Sequence, residues 1–212
     1  LCTPMSQYKK IIEKLNKILK VSCLITDVGS TKQNIIKLKN KILNKKLNWI
    51  SSHPIAGSEA SGPEYGNKNL FLNKWCVIIN DKNKTKVKKV KRFWKKLGSN
   101  VILMKPKEHD QIFALTSHLP HLIAYNLIKT AQDFQKKQKK NLIKFSAGGL
   151  RDFSRIAASN EIMWRDIFFN NKNNISKAID FFIKNLNQFK KDINFKNNKS
   201  IIKKLIQTKK VR

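Results

Sequence analysis

The sequence predicts an α/β layer built on a parallel sheet, followed by an all-α region. Three observations carry this. Between residues 1 and 106, short apolar runs alternate with segments of helical apolar spacing. After Pro106 only the helical spacing continues, and 212 residues are enough for one or two domains with a sizeable core.

Each element has its reason in the residues. Leu1–Thr3, opening the run LCTP, reads as the end of a buried strand. With Leu at position 1, the chain is expected to lack its natural N-terminus. Ser6 can cap a helix that carries Ile11, Ile12, Leu15, Ile18 and Leu19 on one face. Residues 21–28 (VSCLITDV) form the continuous apolar run of a strand covered on both faces. Gly29-Ser30 turns the chain into a helix with Ile35, Ile36, Leu38 and Ile42. Residues 48–55 and 74–80 are further strands, and Thr85–Gly98 is a helix with Val87, Val90, Phe93, Trp94 and Leu97 apolar. NVILM (100–104) is the last strand, and the alternation implies a doubly wound layer.

Beyond Pro106, helices are expected at Glu108–Phe134, Leu142–Ala158, Glu161–Phe169 and Ile175–Ile193. The last carries Ile175, Ile179, Phe182, Ile183, Leu186 and Phe189. That stripe is wider than a small domain needs, and is either ordinary core or a dimer interface. Residues 194–212 read as a weak helix and a frayed basic tail. The expected division is therefore 1–106, 107–193 and 194–212.

The net charge of +32 would ordinarily point to nucleic acid or an anionic membrane surface. Only five of the 45 basic residues are arginine, and the lysines are spread along the chain beside many Asn and Ile. That pattern is what an AT-rich genome writes into any protein. No RGG segment, zinc-knuckle spacing or basic-aromatic strand accompanies it, so no specific nucleic-acid partner is expected. No apolar stretch approaches the ~20 residues of a spanning helix, so no membrane partner is expected. Cys2, Cys23 and Cys76 sit in apolar runs without CxxC spacing and read as reduced core thiols of a cytoplasmic protein.

Four segments carry chemistry. TDVGSTK (26–32) follows a buried strand, so Ser30 either caps the next helix or faces the crevice where open α/β sheets bind ligands. HPIAGSE (53–59) ends a strand on a histidine, the usual proton carrier near neutrality, with Glu59 near enough to tune it. SHLPH (117–121) puts His118 and His121 on neighbouring positions of one helical face, without a third metal ligand, so no metal is expected. GGLRDFSR (148–155), followed by Trp164 and Arg165, gathers three of the five arginines. Arg grips a carboxylate bidentately where Lys cannot.

In this order, Thr26–Lys32, His53–Glu59, His109-Asp110, Ser117–His121 and Gly148–Arg155 with Trp164 resemble the prephenate dehydrogenases, a family that includes arogenate and cyclohexadienyl dehydrogenases. The resemblance implies a Rossmann-type nucleotide-binding domain followed by a helical domain that dimerises. It implies NAD or NADP as cofactor, and prephenate or arogenate as the small-molecule substrate, oxidised and decarboxylated on the route to tyrosine. The family's Gly-x-Gly-x-x-Gly turn is missing here, so only the C-terminal part of the Rossmann domain is expected, and weak cofactor binding by this chain alone.

By the same resemblance, His53 takes or hydrogen-bonds the ring hydroxyl proton, and Ser30 orients His53 and the nicotinamide. Arg155 holds a substrate carboxylate, while His121 and Trp164 line the side-chain end of the pocket. Asp152 and Glu59 set these groups, His118 is structural or pocket wall, and Thr3 and Pro4 touch the cofactor. Two other readings are another two-domain NAD(P)-dependent hydroxy-acid dehydrogenase and a basic nucleic-acid-binding module. Against the first, such enzymes place a catalytic Lys in the helical domain, where this chain has SHLPH and GGLRDFSR.

Overall fold

The computed structural model describes residues 1–57, 62–139 and 143–211. The first part alternates as expected: α1 (Tyr8–Ile18), β1 (Leu24–Ile25), α2 (Gln33–Ile42), β2 (Asn48–Trp49), β3 (Ser52–Pro54), β4 (Trp75–Ile79), α3 (Lys84–Lys96) and β5 (Asn100–Met104). Helices follow: α4 (Pro106–Phe113), a π turn at Ala114–His118, α5 (Leu119–Gln138), α6 (Gly148–Ile156), α7 (Glu161–Asn170), α8 (Lys172–Asn194) and α9 (Asn198–Lys209).

The strands pack between helices on two faces. Tyr8 and Ile12 of α1 and Ile35 of α2 close over Ile25 and Trp49. Val87, Val90 and Trp94 of α3 cover Ile50, Cys76 and Ile78. Along β4 the side chains alternate, so Cys76 and Ile78 meet α3 while Val77 and Ile79 meet Phe113 of α4. That second set joins the sheet to the helical region. Gly29 is required where the chain leaves β1, because an added Cβ would lie 2.6 Å from Ile35 Cδ1 and 3.2 Å from the Tyr8 hydroxyl.

The strands form a parallel two-stranded sheet, β1-β2, and a mixed three-stranded sheet in the order β3-β4-β5, rather than one wholly parallel sheet. β1 pairs parallel with β2, and β4 with β5, but β3 runs antiparallel to β4 with His53 opposite Val77. A parallel pair needs a long crossover, usually a helix. Between β3 and β4 the described residues hold only the short 3-10 turn Pro63–Tyr65, so the chain returns antiparallel. The expected strand 48–55 is thus two strands, one on each neighbour. Leu1 is not in an assigned strand, though its carbonyl accepts the Val28 N–H at 3.2 Å.

Several local expectations need correction. Ser6 does not cap α1; it lies in the 3-10 turn Met5–Gln7, and its N–H donates to Asp166 of α7 at 2.8 Å. Of the three free thiols only Cys76 is buried; Cys2 and Cys23 are exposed, since the VSCLI run becomes strand only at Leu24. The helix expected from Glu108 to Phe134 is interrupted by the π turn. The helix expected from Leu142, which lies outside the described residues, begins at Gly148. The weak helix expected beyond residue 194 is present as α9, capped by the Asn197 side chain and docked on α8, where Asp192 takes the Ser200 hydroxyl and the Lys204 ammonium. Among the described residues, no helix is long and apolar enough to cross a membrane.

Candidate active site

Below the site lies a buried polar network. The Asp27 carboxylate accepts from Lys32 Nζ at 2.7 Å, Trp49 Nε1 at 2.9 Å and Gly29 N–H at 3.1 Å. Lys32 Nζ also donates to the Ser51 hydroxyl at 3.1 Å and the Ser52 carbonyl at 2.6 Å. Three acceptors match the three protons of an ammonium. Burial pulls the Lys32 pKa down and Asp27 opposes it.

The N-terminus of α2 is capped from a distance. Asp110, on α4, accepts the N–H groups of Lys32 at 2.8 Å and Gln33 at 2.9 Å, satisfying two of the donors a helix leaves open. Ser30 is therefore not the cap. Its side chain faces the cleft, and among the described residues its hydroxyl has no hydrogen bond.

His53, in β3, is held from behind. Its Nδ1 is 2.8 Å from His109 Nε2, and His109 Nδ1 is 2.8 Å from Asp110 Oδ1. Phe113 packs its ring against both imidazoles, at 4.9 Å and 4.5 Å between centroids. Burial, helped by His109 and Lys32, holds the His53 pKa well below its ordinary value. Burial also lowers that of His109, against the pull of Asp110.

The opposite wall is helical. The π turn widens the helix so that Phe113, Ser117 and His121 line the cleft while His118 turns into the core. His121 Nδ1–H donates to the Ser117 carbonyl at 2.9 Å, and its ring stacks on Trp164 at 3.8 Å. His118 Nδ1 accepts from Asn171 Nδ2 at 3.1 Å, and the same amide donates to the Asp110 carbonyl at 2.7 Å. Burial pushes the His118 pKa down to about 4.

Between the walls is a cleft of about 690 Å³. His53, Ser30, Arg155, His121 and Trp164, all expected at one site, line it together. Others fall elsewhere. Asp152 is exposed on α6 and does not reach the cleft. Thr3 and Pro4 are exposed, and their neighbour Cys2 lines the cleft instead. His118 sits behind the wall, and Glu59 lies outside the described residues.

Sequence reading assigned no role to His109, Asp110, Phe113 or Lys74. The adjacent pair His109-Asp110 was a visible signal; Lys74, which lines the cleft, is one lysine among many. Among the described lining residues Arg155 and Lys74 are the cationic side chains, and none is a carboxylate.

An α/β layer whose crevice is closed by a helical layer is the architecture of dinucleotide-binding dehydrogenases. Residues 1–103 match the family model for the prephenate dehydrogenase nucleotide-binding domain, and residues 105–207 match that for its dimerization domain. The chain belongs to the prephenate dehydrogenase family.

It is 33% identical over 193 residues to the cyclohexadienyl dehydrogenase of Zymomonas mobilis, covering 90% of this chain and 65% of that protein. It is also 33% identical to the prephenate dehydrogenase of Bacillus subtilis, covering 90% of this chain and 52% of that protein. Among solved structures, the A. aeolicus prephenate dehydrogenase in complex with hydroxyphenyl propionate and NAD+ superposes with a TM-score of 0.91 at 39% identity, covering 99% of this chain and 73% of that one. The chain thus spans between about half and two thirds of the length of these curated relatives.

Proposed function

We propose that the protein carrying this chain oxidises and decarboxylates prephenate or arogenate, giving 4-hydroxyphenylpyruvate or tyrosine, with NAD or NADP as hydride acceptor. One observation carries the reading: a neutral imidazole, His53, and a guanidinium, Arg155, line one cleft between an α/β layer and a helical layer. Two relatives in this family carry the corresponding names, and a third, from A. aeolicus, was solved with NAD+ and hydroxyphenyl propionate.

The donor set suits the nicotinamide end of a dinucleotide. The cleft runs past Cys2, Val28 and Ser30 beyond the carboxyl end of β1, and the Ser30 hydroxyl has no competing partner among the described residues. The chain has no glycine-rich turn to hold a pyrophosphate. When bound, the nicotinamide supplies the hydride acceptor.

The protein's own groups do the rest. Neutral His53 accepts the ring hydroxyl proton at Nε2 as the C–H hydride leaves the same carbon. The ring carboxylate departs as carbon dioxide, leaving its bonding pair in the ring. His53 then returns the proton to the phenolic oxygen. Ser30 orients the hydroxyl and the nicotinamide amide. Arg155 holds a substrate carboxylate, and His121 stacked on Trp164 forms the side-chain end of the pocket. Glu59 and Asp152 set and gate these groups, and Thr3-Pro4 flank the cofactor.

The chain divides functionally at 1–106 and 107–193, with the basic segment 194–212 behind. The second unit pairs with a second copy through α8, extended by α9 of the basic segment. Phe181 and Ile193 are 71% and 64% exposed there, beside exposed Leu186, Leu205 and Ile206. A cytoplasmic setting suits three free thiols.

The test has two arms. In this chain, titration with 4-hydroxyphenylpropionate should quench Trp164 fluorescence saturably, and Arg155→Gln should abolish the quench. In a version extended to the length of its relatives, prephenate or arogenate with NAD or NADP should yield carbon dioxide and reduced nicotinamide. No product with any of the four combinations overturns the proposal.

A further inference from the structure

The deepest unused feature of the site is the line of three side chains behind His53. We propose that His109 and Asp110 are positioning residues that fix the tautomer of His53, keeping its proton on Nδ1 and its lone pair on Nε2, toward the cleft. The inference rests on the reading of His53 as a base only in its kinetic consequence; the tautomer itself is a property of this chain.

Asp110 sets the direction of the line. Its two oxygens already accept backbone N–H groups from Lys32 and Gln33, which can only donate. At the positive end of α2, such a carboxyl group serves as an ionised acceptor. Oδ1 can therefore meet His109 Nδ1 only if that nitrogen carries a proton, 2.8 Å away. A neutral His109 then has its lone pair on Nε2. That lone pair faces His53 Nδ1 at 2.8 Å, so His53 Nδ1 must be the donor. His53 Nε2 is left as the acceptor, in a residue that lines the cleft.

The alternative is a doubly protonated His109, which would donate to His53 Nδ1 and put the His53 proton on Nε2. That form could not take a proton from substrate. Burial of His109 and the nearby Lys32 ammonium both oppose the charged ring. The groups facing the pair are Lys32 and Asp27 from the sheet side, Asp110 from α4 and His118 from the π turn, with apolar Phe113 between. When His53 gains a proton, its Nδ1–H bond to His109 strengthens, and the Asp110 carboxylate stabilises the imidazolium through the intervening ring. No proton needs to travel further.

The four histidines provide an internal contrast. Asn171 Nδ2 donates to His118 Nδ1, so His118 carries its proton on Nε2, while His121 donates from Nδ1 to Ser117. Nitrogen-resolved NMR of this chain at neutral pH, with 15N-labelled histidine, distinguishes the two tautomers by their two-bond couplings. Wild type should show His53, His109 and His121 as Nδ1–H forms and His118 as the Nε2–H form. His109→Gln keeps an oxygen to accept from His53 and should leave the His53 pattern unchanged. His109→Leu removes the acceptor and should shift His53 toward Nε2–H.

In a version of the relatives' length, His109→Leu should lower kcat by roughly 10²-fold, with KM little changed and His109→Gln retaining most of the loss-free rate. A purely structural role would move both variants alike. The proposal is overturned if wild-type His53 reads as Nε2–H, or if Gln and Leu displace it equally. The wild-type spectrum decides the first point even where a variant fails to fold. The predicted tautomers without turnover of either substrate would overturn the functional proposal alone.

Discussion

The Lys32 ammonium and the Asp27 carboxylate lie 2.7 Å apart with neither side chain exposed. This ion pair ties the segment that leaves β1 to the N-cap residue of α2. Removing one partner of a buried pair leaves the other charge without compensation, a loss of about 3–5 kcal/mol. Lys32→Met should therefore lower the urea unfolding free energy by that amount. Lys32→Met combined with Asp27→Asn should be less destabilised than Lys32→Met alone. An equal or larger loss in the double variant would show that the pair is not the source of the effect.

Buried histidines make stability depend on pH. His118 falls from 6.5 to about 4 on folding, and burial lowers His53 and His109 as well. Between those two values the unfolded chain binds more protons, so folding stability rises with pH there. The contribution is fully present above pH 6.5 and is lost as pH falls toward 4; from His118 alone it is on the order of 3 kcal/mol. Chemical denaturation from pH 7 to pH 4 should show this decline, and His118→Asn should flatten it. A slope of opposite sign would contradict the buried neutral assignment.

Arg155 is the cation on the helical wall. A charge-assisted hydrogen bond contributes about 1.5–3 kcal/mol. Arg155→Gln should thus raise the substrate KM roughly ten- to hundred-fold while kcat changes little. Arg155→Lys should recover only part of this, because Lys lacks the planar fork. Steady-state kinetics on the two variants check both statements.

The exposed apolar face of α8 and α9 gives a different kind of prediction. Leu186→Glu places a charge at the centre of the proposed contact between copies and should convert a sedimenting dimer to monomer. Unchanged association would place the interface elsewhere.

Much of this was legible in the residues, and the rest was hidden for physical reasons. Periodicity located the alternation of strands and helices, and His53, Ser30, Arg155, His121 and Trp164 were read from motifs and meet at one cleft. Asp110 capping α2 was not legible, because its acceptor and donors lie 77 and 78 positions apart and only the fold brings them together. Ser6 looked like a cap by type, yet Asp166 claims its N–H. Lys32 could not be singled out among so many lysines by composition. The antiparallel β3 depends on what connects it to β4, which apolar patterning does not report.

The proposed function depends on His53 as the proton acceptor of the cleft. The most direct test is His53→Asn in a version of the relatives' length, assayed for prephenate turnover alongside binding of 4-hydroxyphenylpropionate. Turnover should fall by roughly 10²–10⁴-fold while the ligand still binds, since Asn fills the site without a basic nitrogen. Undiminished turnover with intact binding would contradict the central claim.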